Sequence, residues 1–161
     1  MSRNYSQRSY IFYGDKQKCG KLLHQIKVTA DSFPSQSVWI TAIRDSFLSV
    51  LYRSLQDLSI MLTFQKVQPD SVSRIDSMFL ANAFQKIGFQ AKQSGKIICL
   101  FIEDIHCLNK IEAESLCMAI HKSNQMKLPM ILFGTGMPTV IHLFANARPY
   151  AERLFIYDEI I

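Results

Sequence analysis

The stretch Ile97-Ile-Cys-Leu-Phe-Ile-Glu103-Asp104-Ile-His106 decides how the rest of the 161-residue chain is read. Six successive apolar residues, several of them β-branched or aromatic, suit a strand covered on both faces, as in the interior of a parallel sheet. Two carboxylates follow the last apolar residue. Ligands of open parallel sheets sit beyond the carboxyl ends of the strands, so Glu103 and Asp104 are delivered to the place where chemistry is expected.

Working outward, strand and helix patterns alternate. Tyr10-Ile-Phe-Tyr13, ended by Gly14, reads as a first strand, followed by a loop and then a helix from Gly20 with Leu22, Leu23 and Ile26 on one face. Val38-Trp39-Ile40 is a second strand. After Asp45 as N-cap, Leu48, Leu51, Leu55, Leu58 and Leu62 recur at helical spacing. Gln65 to Val72, with Pro69, connects to a helix carrying Ile75, Phe79, Ala83 and Ile87 that stops near Gly95. Asn109-Lys-Ile-Glu112 matches a capping box and opens a helix to about Met126, with Ile111, Leu116 and Ile120 toward the sheet. Leu128 to Phe133 is a fourth strand, Val140, Ile141 and Phe144 mark a short helix, Pro149 starts another turn, and Phe155-Ile-Tyr157 is a fifth strand. This alternation predicts a doubly wound α/β fold with a parallel sheet, built as one domain over residues 1–161 behind a polar tail at 1–9. Phe47, Phe79, Phe84 and Phe89 are expected in its core.

Composition narrows the function classes. The longest apolar run, Ile97 to Ile102, is far short of the ~18 residues a membrane span requires. Met1 to Tyr10 is polar, and Cys19, Cys99, Cys107 and Cys117 form no CxxC pair, which predicts a reducing, cytoplasmic setting and no membrane. A net charge of +5 favours an anionic partner without choosing between nucleotide, nucleic acid and lipid, and the basic cluster Arg3, Arg8, Lys16, Lys18, Lys21 does not continue along the chain. His106, Cys107, Cys117 and His121 lie close in sequence, but no zinc-knuckle spacing joins them. Cys99, inside an apolar strand, reads as a small core residue.

Four strand ends carry candidate chemistry. Gly14-Asp-Lys-Gln-Lys-Cys-Gly20-Lys21-Leu22 resembles a Walker A loop, in which backbone N–H groups and a lysine hold phosphates. Gly14, Lys18, Cys19, Gly20, Lys21 and Leu22 would line it. It departs twice, with five residues between the glycines instead of four and Leu22 in place of the magnesium-binding hydroxyl. Glu103 and Asp104 have Walker B geometry, Glu103 holding Mg2+ and Asp104 orienting the attacking water. The usual order is Asp then Glu. Reversal misplaces each carboxylate by about 1 Å, enough to cost about 10² in rate. Thr135 after the fourth strand and Arg153 before the fifth could sense a γ-phosphate, Arg153 in a neighbouring subunit.

Taken together, Leu100-Phe-Ile-Glu-Asp-Ile-His-Cys-Leu108, His121-Lys-Ser-Asn-Gln-Met-Lys-Leu-Pro129, Gly134-Thr-Gly-Met-Pro138 and Tyr150-Ala-Glu-Arg-Leu-Phe155 resemble the Walker B, helix, sensor 1 and arginine-bearing segments of prokaryotic AAA+ ATPases of the Orc1-like group. The resemblance is weaker but continuous over 10–95. It implies a three-layer P-loop NTPase core with a five-stranded sheet in the order 5-1-4-3-2, ATP and Mg2+ as cofactors, hydrolysis to ADP and phosphate, and a homo-oligomer using Arg153 in trans. Only nine residues precede the first strand, and the chain stops at Ile161, where the helical lid would begin. No adenine-side helix and no lid domain are therefore expected. The truncation and the irregular Walker A leave open a catalytically silent remnant that contacts a protein or DNA.

Overall fold

A computed structural model describes residues 8–43, 47–63 and 77–161, excluding the side chains of residues 59–63 and 77. The expected N-cap Asp45, the connection Gln65 to Val72, Arg3, Ile75 and the side chain of Leu62 lie outside the described residues.

Five parallel strands, β1 (Ser9–Gly14), β2 (Ser35–Thr41), β3 (Ile97–Glu103), β4 (Met130–Gly136) and β5 (Phe155–Ile160), form one sheet in the order β2-β3-β4-β1-β5. That is the expected 5-1-4-3-2 order, and β3 is paired on both sides as its unbroken apolar run requires. The helices are α1 (Lys16–Asp31), α2 (Phe47–Thr63), α3 (Ser77–Gln93), α4 (Lys110–Gln125) and α5 (Val140–Ala147). Short 3₁₀ turns at Ile105–Cys107 and Ala151–Arg153 lead into α4 and β5.

The strand order assigns helices to layers. From β1 the chain crosses β4 and β3 to reach β2, whereas the later connections run back across the sheet. Right-handed crossovers then put α1 alone on one face and α2 to α5 on the other. Two apolar clusters match this division. Leu23, Cys99 and Phe101 are buried under α1 with Ile26, Trp39 and Phe133 against them, and the larger cluster lies under the remaining helices. One register row beneath α1 is almost wholly aromatic. Trp39, Phe101, Phe133 and Tyr10 stack side by side across four strands, with ring centroids 5.2, 5.4 and 5.8 Å apart.

Several local expectations shift. The helix expected from Gly20 already begins at Lys16, with consequences taken up below. Asn109 and Glu112 do form a capping box, each side chain accepting the other's backbone N–H at 2.8 and 2.9 Å, but the core face of α4 is set by Ala113, Leu116, Cys117 and Ile120, and Ile111 is 68% exposed. Phe47 and Phe84 are buried, whereas Phe79 and Phe89 lie on the outer part of α3 and are 38% and 44% exposed. The fourth strand starts later and runs further than expected, so Thr135 stands inside β4.

Candidate functional site

A cleft of about 390 Å³ opens beyond the carboxyl ends of β1, β3 and β4, where an open parallel sheet places its ligands. Of the expected site residues, Gly14, Cys19, Gly20, Glu103, Asp104 and Thr135 line it. Lys16, Ile43, His106, Cys107, Gly136 and Met137 complete the wall. Lys18, Lys21, Leu22 and Arg153 are not part of it.

The Walker A-like segment is where the local structure departs most from the sequence reading. Between β1 and α1 there is one residue, Asp15, extended at φ −63° and ψ 114°. Its carboxylate accepts from Lys18 N at 2.9 Å and its carbonyl from Cys19 N at 2.9 Å, so Asp15 caps the helix. Lys18 to Leu22 are therefore helical, and from Gly20 onward their amides belong to the helix ladder instead of a loop. Lys18 Nζ donates to the Ile161 carbonyl at 2.8 Å, Lys21 is exposed, and Leu22 lines a different recess. Gly14 has φ +123°, and a Cβ there would stand 2.4 Å from the Ile160 carbonyl oxygen. This glycine serves the contact between β1 and the end of β5.

The acid pair does reach the cleft. Glu103 ends β3, and its carbonyl accepts from Ala42 N at 2.9 Å, tying β3 to the end of β2. Asp104 takes the left-handed conformation, φ 54°, and turns the chain into the 3₁₀ turn. Lys16 Nζ lies 4.0 Å from its carboxylate, but the lysine side chain is 87% exposed, so this pair adds little to stability.

The turn after Asp104 docks closely onto β4. A Cβ at Gly134 would meet Ile105 Cδ1 at 3.0 Å, and one at Gly136 would meet His106 Nδ1 at 3.0 Å. Met137 N donates to His106 Nδ1 at 3.1 Å. An amide can only donate, so Nδ1 is unprotonated and a neutral ring carries its proton on Nε2. Nε2 in turn lies 3.4 Å from the sulfur of exposed Cys107. Sequence reasoning weighed His106 and Cys107 only as zinc ligands. The signal it passed over was Gly136, which admits this ring, with Gly134 two residues before it making room for Ile105.

The other cysteines differ from Cys107. Burial pushes the Cys99 thiol up to about 11 and the Cys117 thiol to about 12, with Cys19 raised for the same main reason. Cys117 is buried on α4, while His121 stacks on Tyr150 at 4.2 Å. Among the described residues no group of three His, Cys, Asp or Glu side chains could hold a metal ion.

Arg153 is exposed and precedes the amino end of β5. Because β5 runs parallel to β1, Arg153 sits at the opposite edge of the sheet from the cleft, about 20 Å away at ~3.3 Å per strand residue. Within one chain it does not join the acids. A second, apolar recess of about 400 Å³ lies beside α1, with Leu22, Ile26, Phe33, Ile97, Ile131 and Phe133 in its lining. Among the described residues no helix is long and apolar enough to cross a membrane.

No protein-family model matches the chain, and no curated protein matches it. Among solved structures the chain is similar to the Orc1 protein of Aeropyrum pernix in complex with DNA, with a TM-score of 0.55 and 12% identity. The match covers 93% of this chain and 39% of that one, so the chain spans about two fifths of its neighbour. At this identity the likeness is one of fold: a parallel α/β core of the Orc1 kind.

Proposed function

We propose that, on this Orc1-like core, the chain works without ATP turnover, as a module that contacts a partner protein. The observation that carries the reading is the closure of α1 by Asp15. A nucleotide's phosphates need an open nest of backbone amides at a helix start. Here a carboxylate already occupies the first turn, and bringing a phosphate against it adds repulsion. Lys18 Nζ is engaged by the Ile161 carbonyl, and neither Lys18 nor Lys21 is part of the cleft wall, which supports a module without ATP turnover. The reversed order of Glu103 and Asp104 supports the same reading. A partner protein is favoured by the apolar recess beside α1, at whose mouth Phe33 and Ile97 are 61% and 38% exposed.

A second reading, weak nucleotide binding in the cleft, is favoured by its volume and by Lys16, Thr135 and the two acids in its wall. One set of measurements separates the two. Labelled ATP with Mg2+ is titrated onto the protein, and phosphate release is followed for wild type, Lys21→Ala and Asp104→Asn. The module reading expects no saturation up to millimolar ATP and identical background release for all three. Saturable binding in the micromolar range, or release that Asp104→Asn abolishes, overturns it. The neighbour's complex with DNA and the net charge of +5 make duplex DNA the control ligand; tight, salt-dependent DNA binding would replace the protein partner with DNA.

A further inference from the structure

We propose that Cys107 and His106 form a thiol modification site, in which a small neutral or cationic disulfide enters the cleft and is captured by Cys107 as a mixed disulfide. Three independent features converge there. Cys107 is the exposed cysteine of the four, the others being buried with their thiols held protonated by burial. His106 is fixed by the Met137 amide so that its remaining N–H, on Nε2, points at the Cys107 sulfur from 3.4 Å. Gly136 leaves room for that ring, since a Cβ there would stand 3.0 Å from Nδ1 and 3.3 Å from the His106 amide. Cys107 and His106 both line the 390 Å³ cleft, so the reagent has a volume to occupy beside them.

The step balances without any outside oxidant. The Cys107 thiol and a disulfide RSSR give Cys107–S–S–R and RSH. The Cys107 sulfur bonds to one sulfur of the reagent, the reagent's S–S bond breaks, and the departing sulfur takes up a proton equivalent to the one Cys107 lost. His106 neither gains nor loses a proton overall. It is a positioning residue, whose N–H stabilises negative charge on the attacking sulfur. Selectivity follows from the wall. Among the described residues of the wall Glu103 and Asp104 outnumber Lys16, so an anionic reagent meets net repulsion there and a cationic one net attraction.

The test uses the whole protein and three probes: cystamine, which is cationic, bis(2-hydroxyethyl) disulfide, which is neutral, and the dianionic 5,5′-dithiobis(2-nitrobenzoate). Adducts are located by peptide mass mapping, and rates at Cys107 are compared with those of the same cysteine in the urea-unfolded chain at the same pH. The expected result is a single adduct on Cys107, formed with cystamine about tenfold faster in the native protein than in the unfolded one. The order should be cystamine, then the neutral disulfide, then the dianion, relative to the unfolded chain. Cys107→Ser should abolish the fast adduct, and His106→Phe should bring the rate down to the unfolded value. A native rate at Cys107 equal to or below the unfolded rate overturns the proposal, as does first labelling at Cys19, Cys99 or Cys117. The native-to-unfolded comparison needs no variant, so it decides even where a substitution fails to fold. ATP binding is not involved, so the outcome is independent of the nucleotide test above.

Discussion

Replacing Gly20 with alanine separates the two structures that the segment Gly14 to Leu22 could take. In a phosphate-wrapping loop the second glycine keeps the backbone open to the phosphates, and a methyl group there is harmful or at best neutral. In this structure Gly20 lies inside α1, and nothing stands within 4 Å of where its Cβ would be. The methyl group therefore costs no packing, while alanine is favoured over glycine in a helix interior by about 0.8–1 kcal/mol. Gly20→Ala should stabilise the protein by about that amount and raise Tm by about 2–4 °C for a chain of this size. The assay is urea unfolding followed by circular dichroism, with the midpoint rising at an unchanged m-value. Gly14→Ala supplies the opposite sign. There the φ of +123° and the 2.4 Å approach to the Ile160 carbonyl predict a loss of about 2–4 kcal/mol, combining backbone strain with overpacking against a main-chain atom. A lower midpoint for Gly20→Ala would refute the helical assignment of the segment, and with it the argument that the phosphate site is closed.

Two further outcomes follow from the geometry. Asn109→Ala removes the side chain that accepts from Glu112 N and leaves Glu112 without its reciprocal arrangement, so the protein should lose about 1–2 kcal/mol in the same urea assay; a change within error would mean that the capping box is not formed in solution. Alkaline pH should destabilise the fold. Cys99 and Cys117 have folded-state values of about 11 and about 12 against an ordinary 9.0, so the folded state keeps protons that the unfolded chain releases. Their contribution is whole below pH 9 and is lost as pH rises through the folded-state values, and burial of Tyr157 acts in the same direction. Urea midpoints measured from neutral pH upward should fall beyond pH 9, and a flat profile there would show that these groups are solvated in the native state.

The fold was legible because its determinants are local and repeated. An unbroken apolar run at Ile98 to Ile102, leucines at helical spacing in α2 and an Asn109/Glu112 cap each specify an element through neighbours a few residues away. The alternation of elements then predicted the α/β class, and the resemblance of the quoted segments implied the sheet order. The site was legible only in part. Glu103 and Asp104 reach the cleft because a strand delivers whatever follows it to the sheet's carboxyl edge.

What the sequence could not decide were questions of competition between local and distant contacts. Gly14 and Gly20 bracket a stretch that reads as a loop before a helix, whereas it is the capped first turn of α1. The structure resolves it through Asp15 at the helix start and through the Ile160 carbonyl, which fills the space beside Gly14. Which face of α4 meets the core depends on where the sheet and α3 lie, and this leaves Ile111 in solvent although its spacing suits burial. The His106 ring is held by an amide and a glycine from the far end of another strand, and no spacing within residues 97–108 announces that. Sequence by itself determined which elements form, because hydrogen bonding and burial repeat at fixed local periods. Tertiary structure alone decided what the strand ends can bind, because a cleft is made of atoms that only the packed chain brings together.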